Sequence, residues 1–245
     1  MAGPRGSRSA RRIRVQRRAR GPNFAAAIRG AWYAPIVMAE PDRKPATYQD
    51  VLDAPAHQVA EIVNGELHLS PRPAGPHAAV ASALGGSLLP PFDWGRGGPG
   101  GWIILDEPEL HLGDDVLVPD LAGWRCARMP VVASEPFFTI APDWICEVLS
   151  PSTEKLDRAD KLAVYAAAAV GHAWLVHPRL RTLEVLRLHE GQWLALGVYR
   201  DDARVRAEPF EAIELELALL WKHLGPPLRA AEAGPRYGEV AEGVL

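Results

Sequence analysis

The sequence predicts a mixed α/β domain built around one central sheet. Three observations carry that expectation. Short apolar runs of strand length recur from about residue 59 to residue 199, separated by Gly, Pro, Asn and Asp. Only two longer segments, 77–89 and 153–170, carry apolar residues at helical spacing. The 245 residues are 48% hydrophobic and 23% charged, which excludes a wholly disordered or fibrous chain. That length suits one large domain or two small ones.

The elements follow in order. Tyr48 to Leu52 starts a short helix, punctuated by Pro55. Residues 59–70 (VAEIVNGELHLS) read as two strands around Asn64-Gly65, a pair suited to a tight hairpin turn because both positions favour positive φ. His77 to Leu89 spaces Val80, Leu84 and Leu88 as a helix, which Pro90-Pro91 should stop. Residues 95–101 (GRGGPGG) form a loop. Residues 102–105 and 109–112 are strand-like. Residues 116–124 (VLVPDLAGW) read as one more strand, with Pro119 marking an edge or interruption. Residues 144–149 (WICEVL) are an apolar run with one acid inside it. The best helix is 153–170, with Leu162, Tyr165 and Ala169 on one face. Strands at 173–176, 182–188 and 192–199 follow, the last two joined across Glu190-Gly191. Residues 215–223 make a closing helix.

Charge divides the chain. Residues 1–37 hold nine arginines and no acid, leaving 18 bases against 30 acids, a net of −12, for the rest. The head reads as a disordered basic segment, with few apolar residues to order it. Three readings are open for it: a nucleic-acid-binding arm; an export signal built on Arg17-Arg18 and the short apolar run 24–28, which Arg29 interrupts; or a translation start at Met38, favoured because the acidic, patterned chain begins there. The domain is expected over 45–224 and a loose tail over 225–245. Two cysteines are too few for a disulfide scaffold, so a reduced, cytoplasmic setting is the simpler reading. No apolar stretch is long enough to span a membrane.

The acids mark the chemistry. Asp120 and Glu147 each sit inside an otherwise apolar run, where a carboxylate is costly unless it is paired or binds a cation. If the two converge, they suit a hard divalent ion such as Mg²⁺, which prefers oxygen ligands. The plain alternative is that each acid ends a strand and faces water. Lys161 lies one turn after Asp157 and one turn before Tyr165, so the three share a helix face. A lysine arriving from that helix could orient an attacking water and counter phosphate charge. The alternative for Asp157 and Lys161 is a surface ion pair. Other chemistries lack their signatures: there is no Gly-x-Ser-x-Gly elbow, no phosphate-cradling Gly-rich loop ending in Lys-Ser/Thr, and no zinc-type histidine spacing. No small-molecule cofactor is expected.

The ordered strings EIVNGEL (61–67), SPRPAGPH (70–77), VPD (118–120), EVLSPST (147–153), DRADK (157–161) and WLVHP (174–178) together resemble the Uma-two family. These are bacterial proteins described as candidate restriction endonucleases with a PD-(D/E)xK nuclease core. The resemblance covers about residues 45–222. It implies a restriction-endonuclease-like α/β fold with an αβββαβ core, in which a central mixed sheet is flanked by helices and extra strands follow the core. It further implies Asp120, Glu147 and Glu61 as metal ligands for Mg²⁺ or Mn²⁺. The lysine of the (D/E)xK element is replaced by Leu149, and Lys161 stands in for it. His77 matches a histidine opening the following helix, with a role in phosphate contact or proton transfer.

The function implied is a metal-dependent endonuclease hydrolysing DNA, working as a homodimer so that each subunit cuts one strand. Its DNA contacts could come from Arg72, Arg96, Arg125, Arg128 and Arg158. Two other readings stay open. One is a nuclease-like scaffold that binds nucleic acid or a protein partner without cutting, kept alive by Leu149. The other is a hydrolase using two carboxylates on a sugar.

Overall fold

The computed structural model describes residues 44–227. The expected basic head, and all but the first residues of the expected C-terminal tail, lie outside the described residues.

Helix α1 (Tyr48–Leu52) opens with a capping box. The Asp50 carboxylate accepts hydrogen bonds from the Thr47 N–H and hydroxyl, at 2.7 and 2.8 Å. Strands β1 (Gln58–Val63) and β2 (Glu66–Pro71) pair antiparallel, Val63 opposite Glu66. The turn residues Asn64 and Gly65 stand at φ 54° and 77°, the left-handed pair a two-residue hairpin needs. Helix α2 (Gly75–Leu88) stops just before Pro90-Pro91, as expected, but the chain does not straighten there. The chain makes one further, wider turn over Leu89–Asp93, closed by the Trp94 N–H donating to Leu89 O at 3.0 Å. A proline lacks only its own N–H, and such a turn does not require it there.

Strands β3 (Trp102–Asp106), β4 (Leu110–Leu112), β5 (Asp115–Leu117), β6 (Leu121–Arg125) and β7 (Trp144–Val148) follow. The expected single strand over 116–124 is in fact two. Pro119 has no N–H to pair, and the chain changes sheet at Val118-Pro119-Asp120. A wide π-helical turn, Leu156–Lys161, runs into α3 (Leu162–Ala167). The chain continues as β8 (His172–His177), β9 (Thr182–His189), β10 (Gln192–Arg200), β11 (Arg204–Val205), β12 (Leu215–Glu216) and α4 (Ala218–Trp221). The expected closing helix is thus shorter, its first residues pairing as β12 with β11.

The central sheet has six strands in the order β10-β9-β8-β7-β6-β3, antiparallel except for β7 and β8. The β7–β8 crossover runs through α3, as a parallel pair requires. A second, antiparallel sheet is ordered β2-β1-β5-β4. One face of the central sheet packs Trp102, Trp144 and Trp174 against Leu84 and Leu88 of α2 and against Phe210. The other packs Trp124, Ile145 and Leu175 with Leu162 and Tyr165 of α3 and Leu117 of the second sheet. No helix among the described residues is long and apolar enough to cross a membrane.

Candidate active site

The switch between sheets creates the site. At its first residue β6 pairs Leu121 with Cys146, and the ladder stops there because the chain before Leu121 comes from the other sheet. The N–H of Val148 therefore loses a strand partner, and Asp120 Oδ2 accepts it at 2.6 Å. The N–H of Val118, just past β5, is accepted by Glu61 Oε1 of β1 at 2.8 Å. Two carboxylates thus take the place of backbone carbonyls where the sheets part. Each is held by a charge-assisted bond from the main chain. Asp120 lies in this break, one residue before β6, rather than inside a strand.

Glu147 reaches the same place from β7. Strand alternation turns Trp144, Cys146 and Val148 to one face and leaves Glu147 on the other, toward α3. There its Oε1 accepts the Tyr165 hydroxyl at 2.7 Å and the Lys161 ammonium at 2.9 Å. Lys161 Nζ also lies 2.9 Å from Glu61 Oε1 and 3.5 Å from Asp157 Oδ1. All four charged groups are buried: Glu61 is 4%, Glu147 2%, Asp157 3% and Lys161 2% exposed. Asp157 and Lys161 both belong to the wide π-helical turn, a departure from α-helix that occurs mostly at functional sites. His77, in the first turn of α2, donates from Nε2 to Asp120 Oδ1.

Electrostatics follow from that packing. Burial pushes the Glu147 carboxyl well above its ordinary value, against the pull of Lys161. Burial likewise raises Asp157, again opposed by Lys161. For Lys161, burial alone would lower the ammonium, but the Glu147 and Glu61 carboxylates outweigh it and hold the group well above the usual range. Lys161 therefore stays charged. One ammonium does not neutralise three carboxylates, so the cluster favours either a shared proton or a further cation.

A pocket of about 210 Å³ opens onto these groups. It is lined by Glu61, His77, Asp120, Glu147, Asp157 and Lys161 at its charged part, and by Arg72 and Ser150 among its walls. All five residues expected at the site, Glu61, His77, Asp120, Glu147 and Lys161, meet here. Sequence reasoning missed Asp157 and Tyr165 as members. Their spacing, four residues before and four after Lys161 on one helix face, was the available signal. Leu149 is buried in the core. The five arginines considered for DNA contact do not all line the pocket. Arg128 pairs with Asp143, and Arg158 with Glu154 and Glu184. Arg96 and Arg125 lie over Trp94 and Trp102. Of these five, Arg72 alone lines the pocket.

Among the described residues, no group of three or more His, Cys, Asp or Glu is arranged to hold a metal ion. The donor set suits Mg²⁺ all the same, because that ion is commonly held by one or two carboxylates, with waters and substrate phosphate filling its shell. Asp120 and Glu147 supply two hard oxygen donors on one pocket wall, and the excess of buried acid favours a cation there.

Comparison with known proteins gives the relationship. The profile of the Uma2 family, described as "Putative restriction endonuclease", matches residues 45–219. Among solved structures, the fold matches one described as a "putative nuclease belonging to DUF820", from Anabaena variabilis ATCC 29413. That match has a TM-score of 0.57 at 24% identity and covers 73% of this chain and 98% of the other. No curated protein matches the chain.

Proposed function

This chain belongs to the Uma2 family, and on that premise we propose that it is a divalent-metal-dependent endonuclease that hydrolyses DNA phosphodiester bonds. The observation that carries the reading is the convergence of Asp120, Glu147 and Lys161 on one pocket from three separate elements. Asp120 and Glu147 would hold Mg²⁺ or Mn²⁺, with Glu61 as the third acid of the set. A bound divalent ion would acidify a water and offset charge on the phosphoryl oxygens.

The protein's own groups do the rest. Lys161 is held between Glu61 and Glu147, with Asp157 at 3.5 Å, and lines the pocket, where its ammonium would orient the attacking water or hold a phosphate oxygen. The water gives up a proton to solvent as its oxygen bonds to phosphorus, the bond from phosphorus to the leaving oxygen breaks, and that oxygen takes a proton. His77, tied to Asp120 at the pocket, is placed to supply that proton. Tyr165 holds Glu147 in position. The active species on this reading is a homodimer, one subunit for each strand. Sedimentation of the full chain checks that assignment, and a monomer at all concentrations opposes it.

The test is incubation of supercoiled plasmid with the full chain in EDTA, Mg²⁺ or Mn²⁺. Nicking is expected only with metal, and Asp120→Ala should reduce it by about 100-fold or more. Cleavage equally fast in the variant would overturn the reading. The buried Leu149, standing where the (D/E)xK lysine would be, favours a second reading: a nuclease-like scaffold that binds without cutting. DNA binding that survives Asp120→Ala, with no cleavage in any metal, would select it.

A further inference from the structure

A pocket that receives a phosphodiester must accept its negative charge, and this pocket is acidic. Its lining holds five carboxylates, from Glu61, Glu107, Asp120, Glu147 and Asp157, against two permanently charged cations, Arg72 and Lys161. Lys161 is already ringed by three of those acids. Arg72 is held differently. It follows β2 on the pocket wall and faces Glu107, which follows β3, with Nη1 3.5 Å from Oε2. The two side chains are 57% and 42% exposed, so this long ion pair contributes little and exchanges readily. The Glu107 backbone is better fixed: its N–H donates to Asp120 O at 3.1 Å, and its φ of 45° lies in the left-handed region. The backbone that carries the Glu107 carboxylate is thus anchored next to Asp120, with a loosely tethered guanidinium reaching toward the carboxylate.

We propose that Arg72 is the phosphate-binding residue of this pocket and that Glu107 is a built-in competitor, which a nucleic-acid phosphodiester displaces from the guanidinium. The inference rests on the nuclease reading for the identity of the anion. A planar guanidinium fork matches two phosphate oxygens as well as it matches a carboxylate. The exchange therefore needs no rearrangement beyond a side-chain swing. The pair also keeps the guanidinium near the pocket in the free protein, which shortens the search once a strand arrives.

The experiment is fluorescence anisotropy of the full chain with a short fluorescein-labelled DNA duplex and with its single strand, in EDTA over a series of NaCl concentrations. For at least one of the two DNA forms, Arg72→Ala is expected to weaken Kd about 10-fold. It should also reduce the salt slope by about one counterion. Arg72→Lys should recover part of the loss. Glu107→Gln should act in the opposite direction and tighten Kd by about 2- to 5-fold, an effect that a merely structural role for the pair would not produce. Arg204→Ala, which removes a surface arginine paired with Glu214 and Glu216, should change neither quantity. Wild-type Kd and slope in Arg72→Ala with both DNA forms would overturn the inference, as would weaker binding in Glu107→Gln. If the binding pattern appears while no metal supports cleavage, the inference stands and the nuclease reading falls. If plasmid is cut and Arg72→Ala leaves KM and salt slope unchanged, the inference falls alone.

Discussion

The two sides of β7 make opposite use of the same burial. On one side, Trp144 belongs to an aromatic cluster centred on Phe210, whose ring lies 4.6 to 5.5 Å from those of Phe92, Trp102, Trp144 and Trp174. On the other, Glu147 joins Glu61, Asp157 and Lys161 in a charged cluster that is just as buried. Three positions along one strand separate Trp144 from Glu147. The aromatic side gains from removing apolar area from water, and its contacts have little directional demand. The charged side gains little net stability from burial, because desolvation offsets attraction, but its groups are fixed to within hydrogen-bond distances. The sheet lends the rigidity of the first side to the geometry of the second.

That contrast is open to direct attack. The largest expected effect is that of Lys161→Met, which leaves three buried carboxylates without their ammonium. Urea unfolding near pH 8 should show a loss of about 3–5 kcal/mol. The deficit should shrink as pH falls and the acids take up protons; a loss independent of pH would break the comparison. Phe210→Leu acts on the opposite side and should cost about 1–1.5 kcal/mol, the same at every pH, with cleavage per folded molecule unchanged.

The smallest effect has the opposite sign. Burial raises the Glu147 carboxyl in the folded state, so the folded chain binds more protons there than the unfolded chain does. That group's unfavourable contribution is therefore absent below the ordinary glutamate pKa. It grows as pH rises from there toward the raised value. Glu147→Gln removes the charge while keeping an oxygen for Tyr165. In EDTA at neutral pH it should stabilise the protein by up to about 1 kcal/mol while abolishing metal-dependent nicking. A destabilised variant would mean that Glu147 is needed to hold Lys161 more than it suffers from burial.

Much of the frame was legible because it rests on local rules. Asn64-Gly65 and Glu190-Gly191 announce their hairpins, since both pairs adopt the positive φ that such turns demand. Acids inside apolar runs at Asp120 and Glu147 were conspicuous because such positions are rarely charged without a partner. The division of residues 116–124 between two sheets was only half legible. Pro119 signalled an interruption, but nothing local said that the halves would pair with different strands. The wide turn at Leu156–Lys161 left no trace in the apolar spacing, and Asp157 therefore read equally well as a surface ion-pair partner. The five arginines illustrate the same limit, since charge along a chain does not say which acids will meet it.

The amino-acid sequence by itself determined the strand-and-helix order, the two tight hairpins and the set of charged residues available for chemistry, because each depends on neighbours within a few positions. The tertiary structure alone decided that Lys161 and Asp157 sit with Glu61 and Glu147, that Asp120 caps the end of β7, and that Arg72 is the guanidinium at the pocket among the described residues. Those outcomes depend on where two sheets part and how a helix packs back on them. Contacts between residues dozens of positions apart are selected by the packing of the whole core and carry no local signature.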